Sequence, residues 1–482
     1  MIDSFEHPAR LRSNLTCDMR SSVGLSLKKP RVLIIAEAAN PEWTSVPLVG
    51  WKLVRALSAV ADVHFVTHLR NRDAIIRQGL VEGCDFTAID NDHFARRFLR
   101  LAMLLGGRSG KGWTTRTALS SLAYYSFEIE LWRQFSGRLM SGEFDIVHRV
   151  TPLSPTSPSI LAKRLARIGV PFMVGPLNGG VPWPKNFKNV QYAEREWLSH
   201  FRWLYRILPG YRSTRKYSAA IIAGSEFTLN EMPRSSLAKC VYIPENAVDL
   251  SSVEQGQRRP AQLPLAGAFV GRLVPYKGAD VLIEAAASFL KANQLRLHIV
   301  GDGPQRKALD DLVARLGVGS SVEFHGWLPH ADVQTILKKC DVLIFPSIRE
   351  FGGGVVVEAM AQGLPPIVAD YAGPSELVDE LTGIKVSFQD RESLIQGFKT
   401  AIRQAIEKPE ILQVLGSAAR QKVAANLTWE AKAQQILGVY EAVLAKSGNL
   451  NSLGYQARMR ANTETTPQSR SLLARFERHD IT

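Results

Sequence analysis

Cysteine is scarce in this chain, with four residues in 482. Cys17, Cys84, Cys240 and Cys340 are far apart, with no C-x-x-C and no histidine at metal-ligand spacing. That excludes a disulfide scaffold and a zinc-finger arrangement, and it fits a reducing compartment. Long apolar runs are missing as well. Nowhere do about 18 consecutive apolar residues occur, the length a spanning helix needs, and the opening MIDSFEHPARLRSNLTCDMR holds no apolar export segment. A cytoplasmic protein that does not span a membrane is therefore expected. The three-glycine G-x-G-x-x-G spacing of a dinucleotide fingerprint is also absent, since Val300-Gly301-Asp302-Gly303-Pro304 is only a tight turn. This argues against a nicotinamide oxidoreductase.

Acidic residues are in deficit, 45 Asp and Glu against 59 Lys and Arg, for a formal net charge of +14. The deficit is one-sided: residues 1–250 hold 33 basic against 21 acidic residues, leaving 26 against 24 for the rest. A lopsided excess can face nucleic acid, an anionic bilayer or an anionic substrate. Here it coincides with basic and apolar residues interleaved in two segments. Residues 93–140 carry Arg96, Arg97, Arg100, Arg108, Lys111 and Arg116 among Phe94, Phe98, Leu99 and Leu101, and 197–216 carry Phe201, Trp203, Tyr205 and Tyr211 between arginines. Such stretches can lie in an anionic membrane interface, or can pack on their own domain with snorkelling arginines. No nucleic-acid partner is expected.

What is present is a repeated strand and helix alternation. RVLIIA, Arg31 to Ala36, is an uninterrupted apolar run of the kind that parallel strands covered on both faces carry. A loop, a helical pattern from Gly50 to Ala61 and the strand DVHFVTH complete a βαβ opening. With 482 residues two domains are expected. A polar lead-in spans 1–29, a first Rossmann-like domain 30–250, and a linker 251–264, SSVEQGQRRPAQLP, follows. A second Rossmann-like domain spans 265–428, a last helix 429–446, and a polar, disordered tail is expected over 447–482.

One stretch carries the chemistry. In FPSIREFGGGVVVEAMAQGLPPIVADYAGPSELV, residues 345–378, an apolar strand ends in Pro346, Gly352, Gly353 and Gly354 follow, and Val355 to Ala361 read as a helix. A glycine turn before a helix aims free backbone N–H groups and the positive helix end at an anion, and missing Cβ atoms let a phosphate come close. Glu350 and Glu358 bracket the loop. Acids beside an anion site make sense when they accept hydrogen bonds from hydroxyls, which ribose and sugars supply. In GAFVGRLVPYKGADVL, Arg272 and Lys277 flank the end of another strand, where two cations can grip a diphosphate from the opposite side. Together these residues point to a nucleotide sugar.

The spacing of Glu350 and Glu358 resembles the E-x7-E signature of the retaining GT-B glycosyltransferases of family four. GLPPIVADYAGPSELV is similar to the G-P-x-E segment that follows it there. Gly271, Arg272, Leu273, Lys277 and Gly278 match the G-R-L-x-x-x-K-G pattern. The resemblance covers most of residues 30 to 446. It implies a GT-B fold, two Rossmann-like domains facing across a cleft, and metal-independent transfer of a sugar from a nucleotide diphosphate to a hydroxyl of a carbohydrate or lipid-linked acceptor, with retention. No cofactor is implied beyond the nucleotide sugar as co-substrate. It implies that Glu350 holds the donor sugar's hydroxyls and Glu358 the ribose, that HGWLP at 325–329 meets the base through its backbone, and that the last helix crosses back to the first domain. His148, in DIVHRV, looks like a family histidine that contacts the donor sugar; read alone, a histidine at the end of a parallel strand is as often structural as functional. The first loop, EAANPEWTSVPLVG, departs from the pattern by lacking a Gly-Gly pair. An Asp-x-Asp at Asp90 to Asp92 has no further carboxylate nearby, so no metal site is expected. A sugar-nucleotide epimerase of the same fold and a non-catalytic membrane-surface scaffold are the alternatives.

Overall fold

In a computed structural model, residues 29–91, 113–188, 190, 206–250 and 258–445 are described, with side chains from 123 onward in the helix that begins at Trp113. Thirteen strands in these residues form two all-parallel sheets. The first has β1 (Arg31–Ala36), β2 (Asp62–His68), β3 (Phe86–Ile89), β4 (Ile146–Thr151), β5 (Phe172–Leu177), β6 (Ala220–Ala223) and β7 (Cys240–Tyr242), in the order 3-2-1-4-5-6-7. The second has β8 (Leu265–Val270), β9 (Leu295–Val300), β10 (Val322–Gly326), β11 (Val342–Phe345), β12 (Pro366–Ala369) and β13 (Ile384–Val386), in the order 10-9-8-11-12-13.

The apolar runs explain the layering. β4, β5 and β6 are buried at every residue, because helices cover both faces of a parallel sheet. One face of the first sheet packs on the helix Val46–Val60 and on the closing helix Trp429–Leu444. The other packs on the helix Trp113–Met140, through Tyr124, Phe127, Leu131, Phe135 and Leu139. The described parts of the two basic segments thus turn apolar residues into their own domain: Tyr211 is buried too, although Ile207 and Met140 are exposed. Residues 92–112 and 191–205, which hold Arg96, Arg97, Arg100, Arg108, Lys111 and Arg202 of those segments, lie outside the described residues. So do Asp92, the lead-in to residue 28, 251–257 of the linker and the tail from 446. Asn91 beside Asp90 is buried and donates to Ala123 O at 2.8 Å and Ser126 Oγ at 2.6 Å. No helix among the described residues is long and apolar enough to cross a membrane.

Several contacts join the two sheets' domains. Trp183 and Phe187, which follow β5, belong to the core of the second domain. Thr428 caps the closing helix by accepting from Ala431 N at 3.0 Å, and Val248 N donates to Leu427 O at 3.0 Å just ahead of it. Glu376 reaches the other way. Its carboxylate accepts the Glu226 and Phe227 backbone N–H groups at 2.7 and 3.4 Å and the Tyr242 hydroxyl at 3.1 Å, so an acid of the second domain caps a helix of the first. Burial holds its pKa above the usual carboxylate range despite these donors.

Candidate active site

The carboxyl ends of both sets of strands face one cleft, with a cavity of about 800 Å³. In open α/β sheets ligands bind at that end, because loops there are free of helix packing and helix N-termini point inward. From the first domain the cleft takes Glu37, Ala38 and Ser45 after β1, Pro152 to Ser154 after β4, Asn178 to Gly180 after β5, and Glu245 and Asn246 after β7. From the second it takes Tyr276 and Lys277 after β8, and Arg349 to Gly352 with Gly354 after β11.

Lys277 and Glu350, both lining the cleft, meet in an ion pair, with side chains 16% and 20% exposed. The Lys277 ammonium also lies 5.1 Å from the Phe345 ring centroid. The glycine loop passes beside this pair. Gly353, at φ 63°, sits in the left-handed region immediately before the helix Gly354–Ala361, and a Cβ there would lie 2.9 Å from Leu377 Cδ1. A Cβ on Gly352 would fall 2.0 Å from Asn246 Nδ2, so the loop meets the first domain at backbone distance. Gly373, from the G-P-x-E segment, donates its N–H to Glu350 O at 3.1 Å; a Cβ there would lie 2.3 Å from Phe351 O. Gly373 therefore sets the path of the loop that presents Glu350.

The other expected residues stand at different distances from this pair. Arg272 is exposed at the end of β8 and does not line the main cavity. Glu358 faces the helix His330–Lys339: it accepts from Gln334 Nε2 at 2.9 Å and pairs with His330 at 3.4 Å, raising the His330 pKa, and its side chain keeps 27% exposure. It too lies outside the main cavity. Trp327 of the HGWLP segment is 71% exposed.

His148 needs correction. β4 runs on to Thr151, so His148 is in mid-strand and has no exposed surface. Its Nδ1 lies 2.7 Å from the Tyr440 hydroxyl of the closing helix and its Nε2 2.8 Å from Gly175 O. Burial pushes its pKa down to about 4. A neutral ring with both nitrogens engaged inside the first domain cannot reach a sugar in the cleft.

Sequence reasoning missed three groups of the cleft, Arg349, Glu245 and Asn246, and the buried Lys432 that interacts with Glu245. Arg349, next to Glu350, lies 4.7 Å from the Trp183 ring centroid, a cation–π contact across the two domains. Glu245 and Asn246 close the first-domain side. Burial raises the Glu245 carboxyl, the nearby Glu350 charge raises it further, and Lys432 opposes both. Lys432 is itself buried, which pushes its pKa down to about 7, and it donates to Pro244 O. The only local signal was the place of Pro-Glu-Asn straight after a strand.

Two parallel, helix-covered sheets facing one cleft constitute the GT-B architecture, the class of fold to which this chain belongs. HepE of Anabaena, solved in complex with UDP, shares it with a TM-score of 0.56 at 15% identity, covering 86% of this chain and 100% of that one. Residues 264–422 match the family model described as glycosyl transferases group 1, and the second domain belongs to that family. An uncharacterised glycosyltransferase of Methanocaldococcus jannaschii is 30% identical over 37% of this chain and 45% of its own length. The D-inositol 3-phosphate glycosyltransferase of Segniliparus rotundus is 30% identical over 41% of this chain and 46% of its own. The chain spans less than half the length of these two relatives.

Proposed function

We propose that this protein transfers a sugar from a nucleoside diphosphate sugar to an acceptor hydroxyl on a carbohydrate or a lipid-linked carbohydrate. The observation that carries the reading is the Lys277–Glu350 pair, which lines the cleft between the two domains beside the glycine loop. As the glycosidic bond lengthens, the leaving diphosphate gains negative charge and the sugar gains positive character. Lys277 and the backbone N–H groups at the start of the Gly354–Ala361 helix meet the first of these charges, with Arg272 at the rim. Glu350 accepts hydrogen bonds from the donor sugar's hydroxyls. Glu358, partly exposed beside the same helix, takes the ribose hydroxyls in exchange for Gln334 and His330. The leaving phosphate serves as base for same-face attack, so configuration is retained and no metal is needed to balance the diphosphate.

The UDP bound by HepE makes uridine nucleotides the first to test. Titration calorimetry with UDP, GDP and ADP species, followed by a radiolabelled panel of the matching sugars, is expected to show micromolar binding of one nucleotide and release of its diphosphate. Uptake of none of them by folded protein would end the reading; an epimerase would instead return a changed sugar still attached to its nucleotide. Attachment to the cytoplasmic face of an anionic membrane is part of the same proposal, supported by the basic excess in residues 1–250 and the cations of 93–112 and 197–205. Vesicles containing phosphatidylserine should pellet the protein at low salt and release it at high salt, and a failure to pellet at low salt would remove the membrane from the proposal.

A further inference from the structure

β9 and β10 run side by side at the edge of the second sheet, with Glu323 in register with His298. The pairing shifts register between Phe324 and Gly326, and at this irregularity His325 lies against both His298 and Glu323. The two imidazole rings stack, with centroids 5.3 Å apart and planes 22° from parallel. His298 Nδ1 lies 3.1 Å from His325 Nε2 and 3.3 Å from a Glu323 oxygen, and the other Glu323 oxygen is 3.6 Å from His325 Nδ1. One ligand atom from each of the three residues falls within 4.8 Å of the other two. The nucleotide-sugar reading involves His325 only through its backbone and gives these three side chains no task.

His298 Nδ1 faces a nitrogen and a carboxylate oxygen at once. A proton between neutral rings satisfies only one of these neighbours, whereas a metal ion accepts lone pairs from all three. Ligands held 2.0–2.1 Å from a tetrahedral zinc ion lie about 3.3 Å from each other. The separations of 3.1 and 3.3 Å at His298 Nδ1 match that edge. The two histidine side chains, 26% and 18% exposed, are held by their strands, while the 64% exposed Glu323 can rotate to complete the set. A fourth position is left to water. Two imidazoles and one carboxylate suit Zn²⁺ and its neighbours Ni²⁺ and Cu²⁺, not the oxygen-seeking Mg²⁺ or Ca²⁺.

We propose that His298, Glu323 and His325 bind one divalent ion of the zinc class, clamping the edge strand β10 to β9. The clamp sits behind the nucleotide side of the cleft. Gly326, after His325, accepts Gly301 N–H at 2.8 Å, and Gly301, at φ 129°, lies so close to Gly271 that a Cβ would fall 2.0 Å from Gly271 O. An ion here steadies that turn without touching the Lys277–Glu350 pair.

The full-length chain, stripped of metal, is titrated with Zn²⁺ by calorimetry and with Co²⁺ by visible absorption. Wild type should take up one equivalent that the double variant His298→Ala, His325→Ala lacks, with the absorption bands of a low-coordinate Co²⁺ site. Glu323→Gln, on an exposed side chain that folding does not need, should weaken binding about tenfold. Zinc at one hundred times Kd should raise Tm by on the order of 5 °C in wild type and leave the double variant unmoved. No uptake by wild type at 100-fold the protein concentration, or equal uptake by wild type and both variants, would overturn the site. Neither outcome bears on sugar transfer.

Discussion

Lys277→Ala is expected to lower the rate of sugar transfer by about 10²- to 10³-fold, the loss that follows removal of one preorganised charge partner of a developing anion. The effect should fall on kcat more than on KM, because the leaving diphosphate carries its extra charge in the transition state. The ion pair with Glu350 adds a second cost. Without the ammonium, a carboxylate only 20% exposed faces the diphosphate unscreened. Glu350→Gln should also slow transfer, yet the double variant should be little worse than the more damaged single, since the two residues act as a unit. Stability should fall by about 1–3 kcal/mol in Lys277→Ala, from the unpaired carboxylate left behind. The check is single-turnover kinetics on material whose thermal melt shows it folded. Wild-type turnover in Lys277→Ala would remove the diphosphate grip from this lysine.

His148→Ala is expected to behave in the opposite way, losing stability and keeping turnover in the fraction that remains folded. The substitution empties a fully buried site and leaves Gly175 O and the Tyr440 hydroxyl without their partner, a cost of about 3–5 kcal/mol. The same ring governs an acid transition. Its pKa is 6.5 in an unfolded chain and about 4 in the folded protein, so between these values the unfolded state binds the extra proton. Its contribution is complete above pH 6.5 and is lost as pH falls towards 4, amounting to about 3 kcal/mol. Denaturant midpoints measured from pH 7 to pH 4 should decline less steeply in a His148→Asn variant than in wild type. A variant with unchanged stability but depressed transfer would return His148 to the donor sugar.

The strands and the glycine loop of the second domain were readable in the sequence because each depends on neighbours in the chain. An apolar run such as RVLIIA fits few environments other than a covered parallel strand. Three glycines before a helix make a turn open to an anion whatever surrounds them. Lys277 lies one residue before the glycine that opens its helix, and Glu350 two residues before the glycine loop, so both stood out as candidates, and both line the cleft.

His148 was misjudged for a reason that no local pattern holds. Its partner Tyr440 is 292 residues away, and only the return of the closing helix onto the first sheet brings them together. Arg349 escaped notice because its neighbour Trp183 comes from the first domain. Glu376 looked like part of a motif of the second domain, yet its oxygens cap a helix in the first.

The chain on its own determined a pair of parallel-sheet domains and a glycine loop flanked by acids and cations, because backbone propensity and turn chemistry act over a few residues. Only the tertiary structure decided that Lys277 rests against Glu350, that His148 is sealed inside, and that His298, Glu323 and His325 converge on one edge. Those outcomes depend on how strands register and domains dock, and the enthalpy and desolvation that settle them come from residues far apart in the chain.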